Sequence, residues 1–191
     1  MNLSEAAMEA NRTDVTGGKS CKKGQAYIEL VVVLPLLILL LLGLFDYSRV
    51  VHAKSIITNM SREAANLIAR ANMNLSGDEA KDFQDVLDLI GKTAQPLDMV
   101  HQGMMYISKV EFANNANKIT RTLSWNRSTL SPTPSSKIIV SGQYPNVPAQ
   151  NLGGLTLSSG KTTYVVEVFY KYESLFPANA ISPTLYSVSI Y

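Results

Sequence analysis

The sequence predicts an α+β protein: a long N-terminal helix, membrane-spanning in its first half, packed on a C-terminal antiparallel β-sheet, with a short additional helix. Three observations predict it. Leu30 to Phe45 contains no polar side chain. After that run, Val50, Ala53, Ile57, Met60, Ala64, Leu67 and Ala71 recur in alternating steps of three and four, the signature of an amphipathic helix. Beyond residue 103 the pattern changes to alternation. It is clearest over Thr163–Glu173, where Tyr164, Val166, Val168, Tyr170 and Tyr172 share one face.

The apolar run comes first in the chain and sets the topology. Ala26 to Phe45 carries one charge, Glu29. At about 1.5 Å per residue this stretch matches the ~30 Å core of a bilayer, and a soluble helix would need a polar face that it lacks. Lys19, Lys22 and Lys23 precede it, which places the N-terminus in the cytoplasm and everything after Phe45 across the membrane. The run is longer than the roughly 7–15 apolar residues of a secretory signal, and the small-residue stretch Val51-His52-Ala53 lies well past it.

Composition narrows the function classes. Of 191 residues 17% are charged, and the formal net charge is +2, so no basic surface argues for nucleic acid. The single cysteine, Cys21, excludes a disulfide framework within the chain and a Cys-based zinc site. Two histidines, His52 and His101, leave little for a metal or a triad. No phosphate loop and no Ser/His/Asp set is visible, so the chain is read as no enzyme, with no cofactor and no metal.

Glu29 needs a reason, because a carboxylate near the start of a spanning helix is costly. One reading leaves it among the headgroups, facing water. The other starts from its surroundings. Lys22-Lys23-Gly24 is followed by Gln25-Ala26-Tyr27-Ile28-Glu29 and then the apolar run. A cut after Gly24 would make Glu29 the fifth residue of the product and place a new α-amino group on Gln25. That cation and Glu29 would be neighbours on one helix, or would pair between adjacent subunits. Glycine before the cut suits a peptidase, since it has no side chain to obstruct a tight site. Pro35 removes one backbone bond to Val31 and should kink or loosen the helix.

Basic residues, Gly, a five-residue stretch ending in Glu and an apolar helix resemble the class III signal of type IV pilin-like proteins. The wider segment Lys23 to Leu37, with its Glu-apolar-Leu-Pro-Leu-Leu pattern, and Arg62-Glu63-Ala64-Ala65 resemble the TadE-like minor pseudopilins of tight-adherence (Flp, type IVb) pilus systems. The resemblance covers about residues 22–70. It implies a pilin-like fold and cleavage by a prepilin peptidase between Gly24 and Gln25, with Lys22, Lys23 and Glu29 in recognition. It further implies that Glu29 acts in assembly, and that the partners are the membrane, other pilin or pseudopilin subunits and the pilus assembly platform. Pro35 reads either as an ordinary transmembrane proline or as a softening of the helix that lets it be drawn from the bilayer into a packed assembly. Leu30 stands where major Flp pilins carry Tyr, and residues 25–191 are far longer than a major Flp pilin. Both departures point to a minor component.

The expected organisation is therefore a cytoplasmic leader over 1–24, a transmembrane helix over 25–46 and its amphipathic continuation over 47–72. Short helices and connections follow over 73–103, then a sheet domain over 104–191, periplasmic or extracellular. The continuation should pack largely on the protein's own sheet. Ser76 is the expected N-cap of a helix from Asp78 to about Ile90, with Gly91 as its C-cap. Met104–Phe112 and Ile119–Asn126 read as a hairpin over Asn114–Asn117, with further strands at Lys137–Ser141, Thr163–Glu173 and Leu185–Tyr191. Two readings of function follow. One is a bitopic minor pseudopilin in the bacterial inner membrane, at the cell surface once assembled. The other is an uncleaved, membrane-anchored periplasmic binding or scaffold protein.

Overall fold

A computed structural model describes residues 20–71, 84, 87–92, 94–126, 130–139, 147–155, 157–175 and 183–191. The expected leader before residue 20, the Ser76 cap and the first half of the second helix lie outside the described residues. The chain forms two units, Met1–Tyr47 and Ser48–Tyr191.

Helix α1 runs from Ser20 to Ala71 and continues through Pro35. Pro35 forfeits one backbone bond, but Leu34, Leu36 and Leu37 around it are strong helix formers. In the first unit every residue from Gly24 to Phe45 is exposed. The stretch is long and apolar enough to cross a membrane, and none of it is buried within the chain.

The second unit holds a five-stranded antiparallel sheet in the order β3-β2-β1-β4-β5. The strands are β1 Gly103–Ala113, β2 Ala116–Trp125, β3 Val147–Pro148, β4 Thr162–Lys171 and β5 Thr184–Ile190. Ala113 pairs with Ala116, so the hairpin turn is only Asn114-Asn115, both at positive φ. Asparagine tolerates that conformation better than most residues, and two such positions in succession make the turn that matches strand twist. Of the expected strand Lys137–Ser141 only residues 137–139 are described, and among them Ile139 pairs, in an isolated bridge to Ala149. The two-residue β3 falls between the expected strands Lys137–Ser141 and Thr163–Glu173, where none was expected.

One face of the sheet carries the α1 seam. Ala53, Ile57, Met60, Ala64, Ala65 and Ile68 are buried against Met105, Ile107, Val166, Val168, Tyr170 and Tyr172. The seam departs from the expected one near its end: Leu67 is 38% exposed, whereas Ile68 and Ser61 are at 0%. A strict three-four alternation has a period of about 3.5, and a straight helix drifts from it by ~20° per seven residues. Counted from Val50, that drift carries the buried position from 67 to 68. Ser61 is accommodated by its hydroxyl, which lies 3.0 Å from Ser187 Oγ and 2.9 Å from Ser189 Oγ on β5.

The other face is also covered. Met104, Tyr106 and Phe169 bury against Leu130, and Val110, Ile119 and Val165 against Ile138 and Leu152. Tyr106 meets Phe169 edge-on at 5.9 Å. A bulge at Lys109/Val110 turns Ile119 to this face, against the alternation set by Leu123 and Trp125.

Residues 87–92 are helical, with Leu87 and Ile90 buried as expected. Gly91 is not the C-cap, because Lys92 beyond it is still helical. Its role is closeness: a Cβ there would lie 2.8 Å from the Trp125 ring. Trp125 Nε1 donates to Asp88 in the same contact. The single turn α2, Met99–Gln102, is capped by Asp98, whose side chain accepts from the His101 backbone N–H at 3.2 Å.

The revised seam gives a direct expectation. Ile68→Ala should lower unfolding stability by about 2–5 kcal/mol, and Leu67→Ala by well under half of that, in denaturant titrations of the detergent-solubilised chain. Equal losses would mean that Leu67 is the seam residue after all.

Candidate functional site: the exposed helix and its first turns beyond

The apolar half of α1 concentrates the residues singled out by sequence. Gln25 and Glu29 lie four apart on one helical face, and Gln25 Nε2 donates to Glu29 Oε1 at 3.3 Å. Such pairs are worth only a few tenths of a kcal/mol on an exposed helix. They do fix direction, however: the Glu29 carboxylate is turned back toward residue 25. Lys22 and Lys23 belong to the same helix. Pro35 lies six residues, about one and two-thirds turns, beyond Glu29 in it.

Gly24 has no packing partner, since a Cβ placed there meets nothing within 4 Å. Glycine inside a helix costs about 1 kcal/mol relative to alanine, and nothing in the described chain requires it at 24. Gly43 is equally unencumbered. Packing within the described chain explains neither glycine.

A second feature was not visible from sequence. A groove of about 750 Å³ lies between α1 just after the apolar run and the end of β4, lined among others by Ser48, Arg49, His52, Tyr170, Tyr172 and Glu173. The Arg49 guanidinium sits 5.8 Å from the centre of the Tyr172 ring. Tyr170 Oη donates to Gln102 Oε1 at 3.0 Å. Burial, and then the charge of Asp98, push the Tyr170 hydroxyl above the usual phenol range, so it remains a donor. No single residue announces such a groove, because its walls come from segments more than a hundred residues apart.

The third feature is Glu167, fully buried on the loop-covered face of β4. It accepts from Ser136 Oγ, from the Lys137 backbone N–H at 2.9 Å and from Tyr186 Oη at 3.0 Å. Burial and the neighbouring Glu167 carboxylate push the Tyr186 hydroxyl far above the usual phenol range. Lys137 Nζ sits 4.2 Å over the Tyr186 ring. An acid alternating with Val165, Val166 and Val168 was the available signal. Three donors satisfy it, so it fastens the 130–139 loop to the sheet and leaves no free acid for chemistry. Among the described residues no group of three or more His, Cys, Asp or Glu could hold a metal ion.

The lack of packing at Gly24 has a measurable consequence. Gly24→Ala should leave the unfolding midpoint and helical circular dichroism of the chain unchanged or slightly raised. A loss of stability would reveal a structural need for glycine.

Neither the curated proteins nor the solved structures contain a match to this chain. Residues 24–66 match the family model described as TadE-like protein. The match opens on Gly24, takes in Glu29 and Pro35, and ends inside the seam that packs on the sheet. Over residues 24–66 the helix that carries the candidate site is thus similar to the TadE-like family.

Proposed function

We propose that this protein is a minor pseudopilin-like subunit of a type IVb (Flp/Tad) pilus, cut by a prepilin peptidase between Gly24 and Gln25. Its mature form then joins other pilin or pseudopilin subunits at the assembly platform in the bacterial inner membrane and contributes to surface adhesion. The observation that carries this reading is the uncovered helix 26–45, which is apolar on all sides and interrupted by one acid. Such a surface is stable only in lipid or against other apolar helices. A pilus subunit uses both environments in turn.

The geometry at residue 25 supports the role of the acid. In the uncut chain the side chain of Gln25 already holds the Glu29 carboxylate. Cleavage after Gly24 would place an amine on that same residue, with a reference pKa near 7.7–8.0. A cation and an anion four residues apart then neutralise each other, and do so more strongly in an apolar surrounding than in water. The same acid could reach the amine of an adjacent subunit, which would make pairing a condition of docking. Pro35, by freeing the carbonyl of Val31, gives the helix a point of compliance during transfer from bilayer to fibre. The sheet domain stays outside the cytoplasm, and the seam at Ala53–Ile68 ties it to the helix.

Two substitutions test the reading. Gly24→Phe should leave the full-length chain accumulating in the membrane, seen as a larger band on immunoblots; normal processing would contradict the peptidase assignment. Glu29→Ala should still insert, yet reduce pilus yield at least about tenfold, counted by electron microscopy of sheared fibres. Wild-type piliation by Glu29→Ala would remove charge pairing from the mechanism.

A further inference from the structure

We propose that the groove beside Arg49 is a site for a phospholipid headgroup, specifically a zwitterionic phosphoethanolamine. The inference rests on the apolar run lying in a bilayer, and is independent of cleavage. Arg49 follows Phe45 by four residues of the same helix, which is about 6 Å of rise. When the run spans the hydrocarbon, Arg49 is therefore at the level of the headgroups.

The chemistry of the walls fits that position. The guanidinium is held over the Tyr172 ring at 5.8 Å, and its planar fork of donors matches phosphate oxygens. Ser48, on the same turn, lines the groove and adds a hydroxyl. Glu173 lines the groove too and supplies a carboxylate for an ammonium. A groove lined by one guanidinium and one carboxylate suits a ligand carrying one charge of each sign better than a purely anionic one. Ala53 and Leu97 provide apolar wall, suited to the glycerol and first methylenes. The volume, about 750 Å³, falls within the roughly 300–1,000 Å³ of small-ligand sites.

The experiment uses the full chain in nanodiscs of equal phosphatidylethanolamine and phosphatidylglycerol, with retained lipid read by native mass spectrometry. Wild type should keep the ethanolamine lipid in several-fold preference. Arg49→Gln should lower retention of both lipids about tenfold. Glu173→Gln should keep total retention but erase the preference. Both side chains are exposed, so circular dichroism of the variants should match wild type. Equal retention by wild type and Arg49→Gln, a wild-type preference for phosphatidylglycerol, or displacement of bound lipid by millimolar inorganic phosphate would each overturn the proposal. Entry of the chain into the nanodisc is scored separately. Failure to enter refutes the membrane anchor itself and the headgroup site with it, whereas entry without lipid selectivity refutes only the site.

Discussion

A helix that is apolar all round, with one carboxylate near its start, is the constraint on which the rest of this molecule depends. Residues 24–45 have no cover in the described chain. Leaving a large aliphatic side chain in water forgoes about 1.5–3 kcal/mol each, and the run holds more than a dozen of them. That deficit exceeds the entire stability of an ordinary domain, about 5–15 kcal/mol. The missing surroundings must come from lipid or from other apolar surfaces. Glu29 sharpens the demand, because those surroundings penalise an unpaired acid, and its partner in the chain as it stands is the neutral amide of Gln25.

The second half of the same helix solves the opposite problem. From Ala53 to Ile68 its narrow seam is satisfied within the chain by a sheet that is itself buried on both faces. Alanines at 53, 64 and 65 allow close approach. Ser61, Ser187 and Ser189 replace apolar contact by mutual hydrogen bonds at the β5 side, and Lys54 Nζ donates to the Tyr186 carbonyl there. On the far face the Glu167 cluster holds the 130–139 loop as a lid over Tyr106 and Phe169. One continuous helix is thus apolar for outside partners in one half and apolar for its own sheet in the other.

Much of this was legible in sequence because periodicity carries it. The apolar run, a hairpin across Asn114–Asn117 and the inward tyrosines of β4 all follow from residue type and spacing, although the turn itself is only Asn114-Asn115. Four features did not, each for a physical reason. Leu67 and Ile68 differ by one position, and the choice depends on accumulated drift between a 3.5 and a 3.6 period. Gly91 looked like a helix end, since glycine serves both as a cap and as a place of close approach, and only the position of Trp125 decides between them. The groove at Arg49 and the pinning of Glu167 join residues far apart in the chain. The TadE-like match stops at residue 66, short of the first strand at Gly103.

The central claim is that Glu29 neutralises an amine that proteolysis creates on residue 25. Intact-mass and N-terminal sequence analysis of the protein extracted from membranes of piliated cells addresses it most directly. The account predicts a polypeptide beginning at Gln25. A polypeptide from such cells that still carries residues 1–24 would contradict it.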